Sequence, residues 1–251
     1  MRFLRSSRSS DFEVGMDTLL SVIHIVGVIS FSAAGAMVAI DKEADWFGVV
    51  FLSLITCFGG GLIRDVIGGG AIERDLPLVF TMHTELIVSV LTATLVFILA
   101  ALLKRKYVEN EERVVAINNV LDALGIGVFT AAGCAAYIPL GPLVALFMGM
   151  ITSIGGSITR DVILRDIPSV LRKHIYALAV LAGAAAYYLI AVLIMPGQES
   201  TRVVATLACT VVIFTIRMLA TTFKWNIPKA IDFSKIREAS ESEEDKDLIT
   251  K

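Results

Sequence analysis

Apolar residues fall into long runs separated by short charged ones: Thr18–Ile40, Phe47–Ile63, Phe80–Leu103, Val114–Ile138, Gly141–Thr159, His174–Met195 and Val203–Thr222. A helix needs about 20 predominantly apolar residues to cross roughly 30 Å of hydrocarbon. The pattern therefore predicts an all-α polytopic membrane protein with seven transmembrane helices. The second and fifth runs are the shortest before a charge intervenes, and both contain clustered glycines. Thr18–Ile40 is longer than the ~7–15-residue apolar core of a signal peptide and lacks an obvious cleavage site, so it is expected to stay as the first span.

Composition agrees with this pattern. Apolar residues make up 56% of the chain, with a mean hydropathy of +0.77. Soluble domains have about 45–50%. Charges crowd into Met1–Asp17, Lys104–Arg113, Arg160–Lys173 and the stretch after Ala220. The net charge is -2 and no basic stripe with interleaved aromatics is present, which argues against a nucleic-acid partner. Cys57, Cys134 and Cys209 each sit in an apolar run without a CxxC pair and read as reduced packing residues.

Seven spans put the termini on opposite faces. Arg2, Arg5, Arg8, Arg64, Arg74 and Arg202 fall on one side; Lys42, Lys104, Arg105, Lys106, Arg113, Arg160, Arg165, Arg172, Lys173, Lys224 and Lys229 fall on the other. The richer side is expected to be cytoplasmic, with the N-terminus outside. The expected organisation is an N-terminal segment at 1–17, a three-helix unit at 18–103, a linker at 104–113, a second three-helix unit at 114–195, a seventh helix at 203–222 and a disordered cytoplasmic tail at 235–251. The tail is Ser/Glu/Asp/Lys-rich, with too few apolar groups to offset the entropy of ordering.

The two three-helix units are copies of one another. Phe31-Ser-Ala-Ala-Gly35, Phe58-Gly-Gly-Gly-Leu-Ile-Arg64-Asp65-Val-Ile67 and Pro77 recur in order as Phe129-Thr-Ala-Ala-Gly133, Ile154-Gly-Gly-Ser-Ile-Thr-Arg160-Asp161-Val-Ile163 and Pro168. The stretch Asp41–Asp45 shortens to Leu140-Gly-Pro142 in the second copy. A unit of three spans is odd, so its second copy enters from the opposite face. The halves are thus inverted repeats, an arrangement found mostly in transporters and channels, although some duplicated membrane proteins use symmetry only for packing.

Gly59, Gly60 and Gly61 correspond to Gly155, Gly156 and Ser157. Glycine in a helix interior costs about 1 kcal/mol relative to alanine. Adjacent glycines predict a kink or unwound turn, whose freed carbonyls would need protein or a water-filled path around them. Close helix contact through small residues is the competing reading. Arg64-Asp65 and Arg160-Asp161 follow within a turn. Neighbours on a helix point apart, so each Arg is expected either to bond carbonyls of the other half or to snorkel to the interface.

Asp122 stands between Leu121 and Ala123, with Asn118 four residues earlier on the same face. An intramembrane carboxylate suggests a cation site along a pore; a structural partnership with Arg64 or Arg160 is the alternative. His24, its counterpart in the first half, reads as a packing residue. Arg217 in the seventh span is explained by snorkelling. His83, Glu85, Lys173 and His174 read as interfacial. No metal-ligand spacing, cofactor motif, nucleophile elbow, P-loop or facing pair of intramembrane carboxylates appears, which places an enzyme behind a transport protein.

Phe31–Gly35, Asp45-Trp-Phe-Gly48, Thr56-Cys-Phe-Gly-Gly-Gly-Leu-Ile-Arg64-Asp65, Leu121-Asp122-Ala-Leu-Gly125, Thr152-Ser-Ile-Gly-Gly-Ser-Ile-Thr-Arg160-Asp161 and Pro168 together resemble the trimeric intracellular cation (TRIC) channel family. The resemblance runs from about Asp17 to Pro228 and is strongest to the prokaryotic branch, whose domain is also catalogued as a glycine transporter. It implies a seven-helix protomer, a homotrimer in the lipid bilayer, and one pore per subunit conducting monovalent cations, chiefly potassium. The family's kinked second and fifth helices map onto Gly59–Gly61 and Gly155–Ser157. Ser157 departs from the glycine triplet, and the basic residues of animal members are not evident around Asn118, Asn119 and Asp122. A potassium channel and a secondary transporter of a small amino acid such as glycine both fit these residues.

Overall fold

The computed structural model describes residues 2–69, 76–172, 175–198 and 200–225, with side chains from Val14 onward except at Arg172. Arg74, Lys173, His174, Lys229 and the acidic tail at 235–251 lie outside the described residues. The apolar runs form helices α1 (Arg2–Asp41), α2 (Trp46–Gly68), α3 (His83–Glu109), α4 (Glu111–Tyr137), α5 (Pro142–Ile163), α6 (Tyr176–Tyr188, continuing through a wider π-type turn at Leu189–Ile194) and α7 (Thr201–Thr222). Among the described residues there is no strand. The shortest span, Tyr176–Ile194, has 19 residues, about 28 Å at 1.5 Å per residue. All seven helices are long and apolar enough to cross a membrane.

Local chemistry sets the helix starts. Asp45 caps α2 by accepting from the Gly48 amide at 2.8 Å, satisfying one of the orphan donors of the first turn. Helix α5 instead begins with Pro142 in its first turn, where the missing N–H costs nothing. Gly141 before it has φ 93°, a left-handed value that glycine tolerates.

The packing repeats with the sequence. α1 lies on α2 and α3 as α4 lies on α5 and α6, and α2 meets α3 as α5 meets α6. The halves join through α1 on α4 and α2 on α5, while α7 leans on α4 and α6. Phe31 and its counterpart Phe129 stack face to face, with centroids 5.1 Å apart and planes 7° apart. Equivalent residues that touch each other lie on the axis relating the halves. Around them Val28, Phe58, Ile126, Ile154 and Ile213 form the apolar core. Ile87, Leu91, Leu95, Ile98 and Leu102 leave one face of α3 apolar and exposed, as lipid contact requires.

The second and fifth helices run further than their apolar stretches suggest. α2 passes Ile63 to reach Gly68, and α5 passes Thr159 to reach Ile163. Arg64-Asp65 and Arg160-Asp161 are therefore inside helices and do not end them. A charge ends a span only when it must seek water, and these charges are paired.

Candidate functional site

The glycines bring α2 and α5 into backbone contact at the centre of the molecule. A Cβ added at Gly59 would lie 3.2 Å from the Gly156 Cα, and one at Gly155 would lie 2.9 Å from the Gly60 Cα. At Gly60 it would meet the carbonyls of Thr152 and Ile151, and at Gly156 those of Thr56 and Ile55. The contact is reciprocal, as an axis between the halves requires. The expected unwound turn is corrected here, because the helical assignment runs unbroken through Gly59, Gly60 and Gly61 and through Gly155, Gly156 and Ser157. These residues allow close approach; they do not free carbonyls. Gly61 is the exception in kind. An added Cβ there would meet only the Arg64 guanidinium, at 3.9 Å, and the equivalent Ser157 fits, its hydroxyl donating to the Ile154 carbonyl at 3.0 Å.

Threonines flank the crossing in both halves. Thr56 donates to the Leu52 carbonyl and Thr152 to the Met148 carbonyl, each at 2.6 Å. Such back-bonds loosen a helix slightly and favour bending, so flexure near the crossing is built from hydroxyls.

Each Arg-Asp dipeptide is an ion pair, which corrects the expectation that neighbours point apart. Arg64 Nε and Nη2 lie 2.8 and 2.6 Å from Asp65 Oδ1, and Asp65 Oδ2 accepts from the Leu78 amide at 2.8 Å. Arg160 Nε and Nη2 lie 2.9 and 2.6 Å from Asp161 Oδ1, and Asp161 Oδ2 accepts from the Ser169 amide at 2.8 Å. A third group thus holds each carboxylate where the long arginine can fold back onto it. Arg64 is 5% exposed and Arg160 4%. Their charges are answered within the protein, so neither snorkels.

Beside the crossing lies a cavity of about 230 Å³. Its lining runs from Arg202 and Met82, at the ends of α7 and α3, past His24, Arg64 and Asp65 to Gly61 and Thr152. His24 packs its ring against Phe129 at 5.2 Å between centroids and also faces this space.

The other half places a polar cluster where His24 has its counterpart. Asp122 Oδ2 accepts from Arg217 Nη1 at 2.7 Å and from the Tyr176 hydroxyl at 3.0 Å. The Arg217 guanidinium lies 3.9 Å from the centre of the Tyr176 ring. Arg217 is 5% exposed. Asp122 thus pairs with neither Arg64 nor Arg160, and Arg217 does not snorkel. The structure brings Gly59, Gly60, Gly155 and Gly156 together, sets Gly61 and Arg64 on the cavity, keeps Ser157 and Arg160 on the second half's side, and ties Asp122 to α7.

A family model described as glycine transporter matches residues 21–101 and 119–192, one match on each half. A UPF0126 membrane protein of Deinococcus radiodurans is 36% identical over 188 residues, 72% of this chain and 82% of that protein. The UPF0126 inner membrane protein YadS of Escherichia coli K12 is 37% identical over 174 residues, 66% of this chain and 78% of that one. A prokaryotic TRIC channel crystallised in 0.5 M KCl superposes with a TM-score of 0.69 at 27% identity, covering 84% of this chain and 99% of that one. The TRIC orthologue from Rhodobacter sphaeroides gives the same score at 28% identity, covering 83% and 100%. The chain belongs to the prokaryotic branch of the TRIC family.

The structure places three residues that sequence reasoning missed. Tyr176, Glu85 and Arg202 looked interfacial or unremarkable, yet Tyr176 holds Asp122 while Glu85 and Arg202 line cavities. One signal was readable. Arg217 is the lone charge within the apolar run Val203–Thr222, and such a charge calls for a partner inside the bundle.

Proposed function

We propose that this protein is a monovalent-cation channel, with potassium as its main ion and one passage in each protomer of a homotrimer. The observation that carries the proposal is the cavity reaching Gly61 and Thr152 beside the α2–α5 crossing, where the two inverted halves meet. The similar solved proteins are themselves described as TRIC channels, one of them as a trimeric intracellular cation channel. In this reading Gly61 and Arg64 line the passage, Gly59, Gly60, Gly155 and Gly156 form the crossing beside it, and Ser157 and Arg160 hold the equivalent positions in the second half, with the repeats at 18–103 and 114–195 supplying one half-passage each. The Arg64–Asp65 and Arg160–Asp161 pairs leave these walls without a net positive charge to repel a cation. The Thr152 hydroxyl on the cavity wall then offers the kind of weak contact that conduction needs.

In this reading the Asp122–Arg217–Tyr176 cluster, held together by the hydrogen bonds to Asp122, closes the second half's end of the path. Asp122 acts there as part of a closure and becomes a cation ligand only when Arg217 leaves it. The Lys/Arg distribution supports an outside N-terminus and a cytoplasmic C-terminus.

Secondary transport of glycine is supported by the description of the family model alone. Purified protein in potassium-loaded liposomes separates the two readings. A channel collapses an imposed potassium gradient without glycine. Saturable, exchange-stimulated glycine uptake with no potassium leak would replace the channel reading.

A further inference from the structure

We propose that a second cavity, bounded by α1, α3, α4, α6 and α7, binds a small zwitterion, its ammonium on Glu85 and its oxyanion on Arg202. The ligand class is a primary amine joined to an oxyanion by a short carbon linker. Glycine and the phosphoethanolamine headgroup of a lipid share that chemistry.

The cavity holds about 270 Å³, and Ser21, His24, Glu85, Tyr187, Arg202 and Thr206 line it. Glu85 is the third residue of α3 and Arg202 the second of α7. Both therefore sit at the same end of the bundle, within one turn of a helix start. Among the described residues the only ion-pair partner of Glu85 is His24, with Nδ1 3.9 Å from Oε1, too far for a hydrogen bond. Both side chains are 23% exposed. Among the described residues no carboxylate pairs with Arg202.

A carboxylate and a guanidinium of opposite sign thus face one hollow without meeting each other. Glu85 is a partly buried charge at a membrane helix start, which is costly unless it is answered, and Arg202 is an exposed one at the rim of the same hollow. A simple cation or anion answers one of the two groups; a zwitterion answers both. The planar guanidinium suits a carboxylate or phosphate through paired N–H donors. The aliphatic and alanine walls suit a short carbon linker. His24 and Arg202 line the first cavity as well, so an occupant would sit at the mouth of the proposed passage. The inference does not rest on conduction, because binding is read without current.

The test uses the full chain purified in detergent. Glycine should raise its unfolding temperature in a saturable way, while acetate and methylamine, which each carry one of the two charges, should not. Native mass spectrometry with phosphatidylethanolamine and phosphatidylglycerol identifies a lipid source, which shows as retention of the first lipid only. Glu85→Gln and Arg202→Gln should each weaken the effective ligand at least tenfold. Either glycine stabilisation or selective phosphatidylethanolamine retention supports the site and names its source. Failure of both, an equal response to acetate, or undiminished binding by both variants would overturn it; the acetate and methylamine comparison needs no variant and stands if one misfolds.

Discussion

Arg217 on α7 donates to Asp122 on α4 across 2.7 Å, tying the helix outside the repeat to a helix inside it. Breaking a buried ion pair by removing one partner strands the other charge and costs about 3–5 kcal/mol. Asp122→Ala should therefore destabilise the protein by that order, measured by thermal unfolding in detergent. Replacing both groups together, Asp122→Leu with Arg217→Met, should recover most of the loss. If the double variant is no more stable than Asp122→Ala, the two residues are not acting as a pair.

The glycines separate two roles that adjacent positions usually confuse. Gly60→Ala pushes a Cβ onto backbone carbonyls that cannot move aside, so it should cost about 1–3 kcal/mol, as overpacking does. Gly61→Ala makes only an ordinary van der Waals contact with the Arg64 guanidinium and should be neutral, or stabilising by up to about 1 kcal/mol through helix propensity. Unfolding midpoints of the two variants check the contrast, and equal effects would contradict the close-crossing geometry.

The Arg-Asp pairs predict a symmetry of response. Asp65→Ala and Asp161→Ala each remove the partner of a buried arginine and the acceptor of one backbone amide. Both should lose stability to a similar degree, in the 3–5 kcal/mol range. Unfolding of the two variants side by side measures it, and a loss confined to one half would show that the halves are not mechanically equivalent.

Much of the fold was readable in the sequence because lipid imposes one strong requirement on apolar length, and because the repeated polar landmarks from Phe31 to Pro77 cannot arise from hydropathy alone. The purpose of the glycines was not readable. A broken helix and a close crossing demand the same residue, and only the opposing carbonyls of Thr56 and Thr152 distinguish them. Asp122's partner lies 95 positions downstream, beyond any local pattern. The Arg64–Asp65 pair escaped for another reason: backbone direction separates neighbours, but a Leu78 amide past the helix end turns the carboxylate back toward the arginine.

The central claim is that ions pass beside the α2–α5 crossing along the wall that contains Gly61. It is tested most directly by recording single channels in a planar bilayer from Gly61→Cys, with Cys57, Cys134 and Cys209 replaced by alanine. Potassium-driven current steps that a charged thiol reagent blocks from the side bearing Arg202, and that persist in the cysteine-free parent, are the predicted result. Steps that the reagent leaves untouched once labelling of residue 61 has been verified, or no steps at all from folded protein, would contradict it.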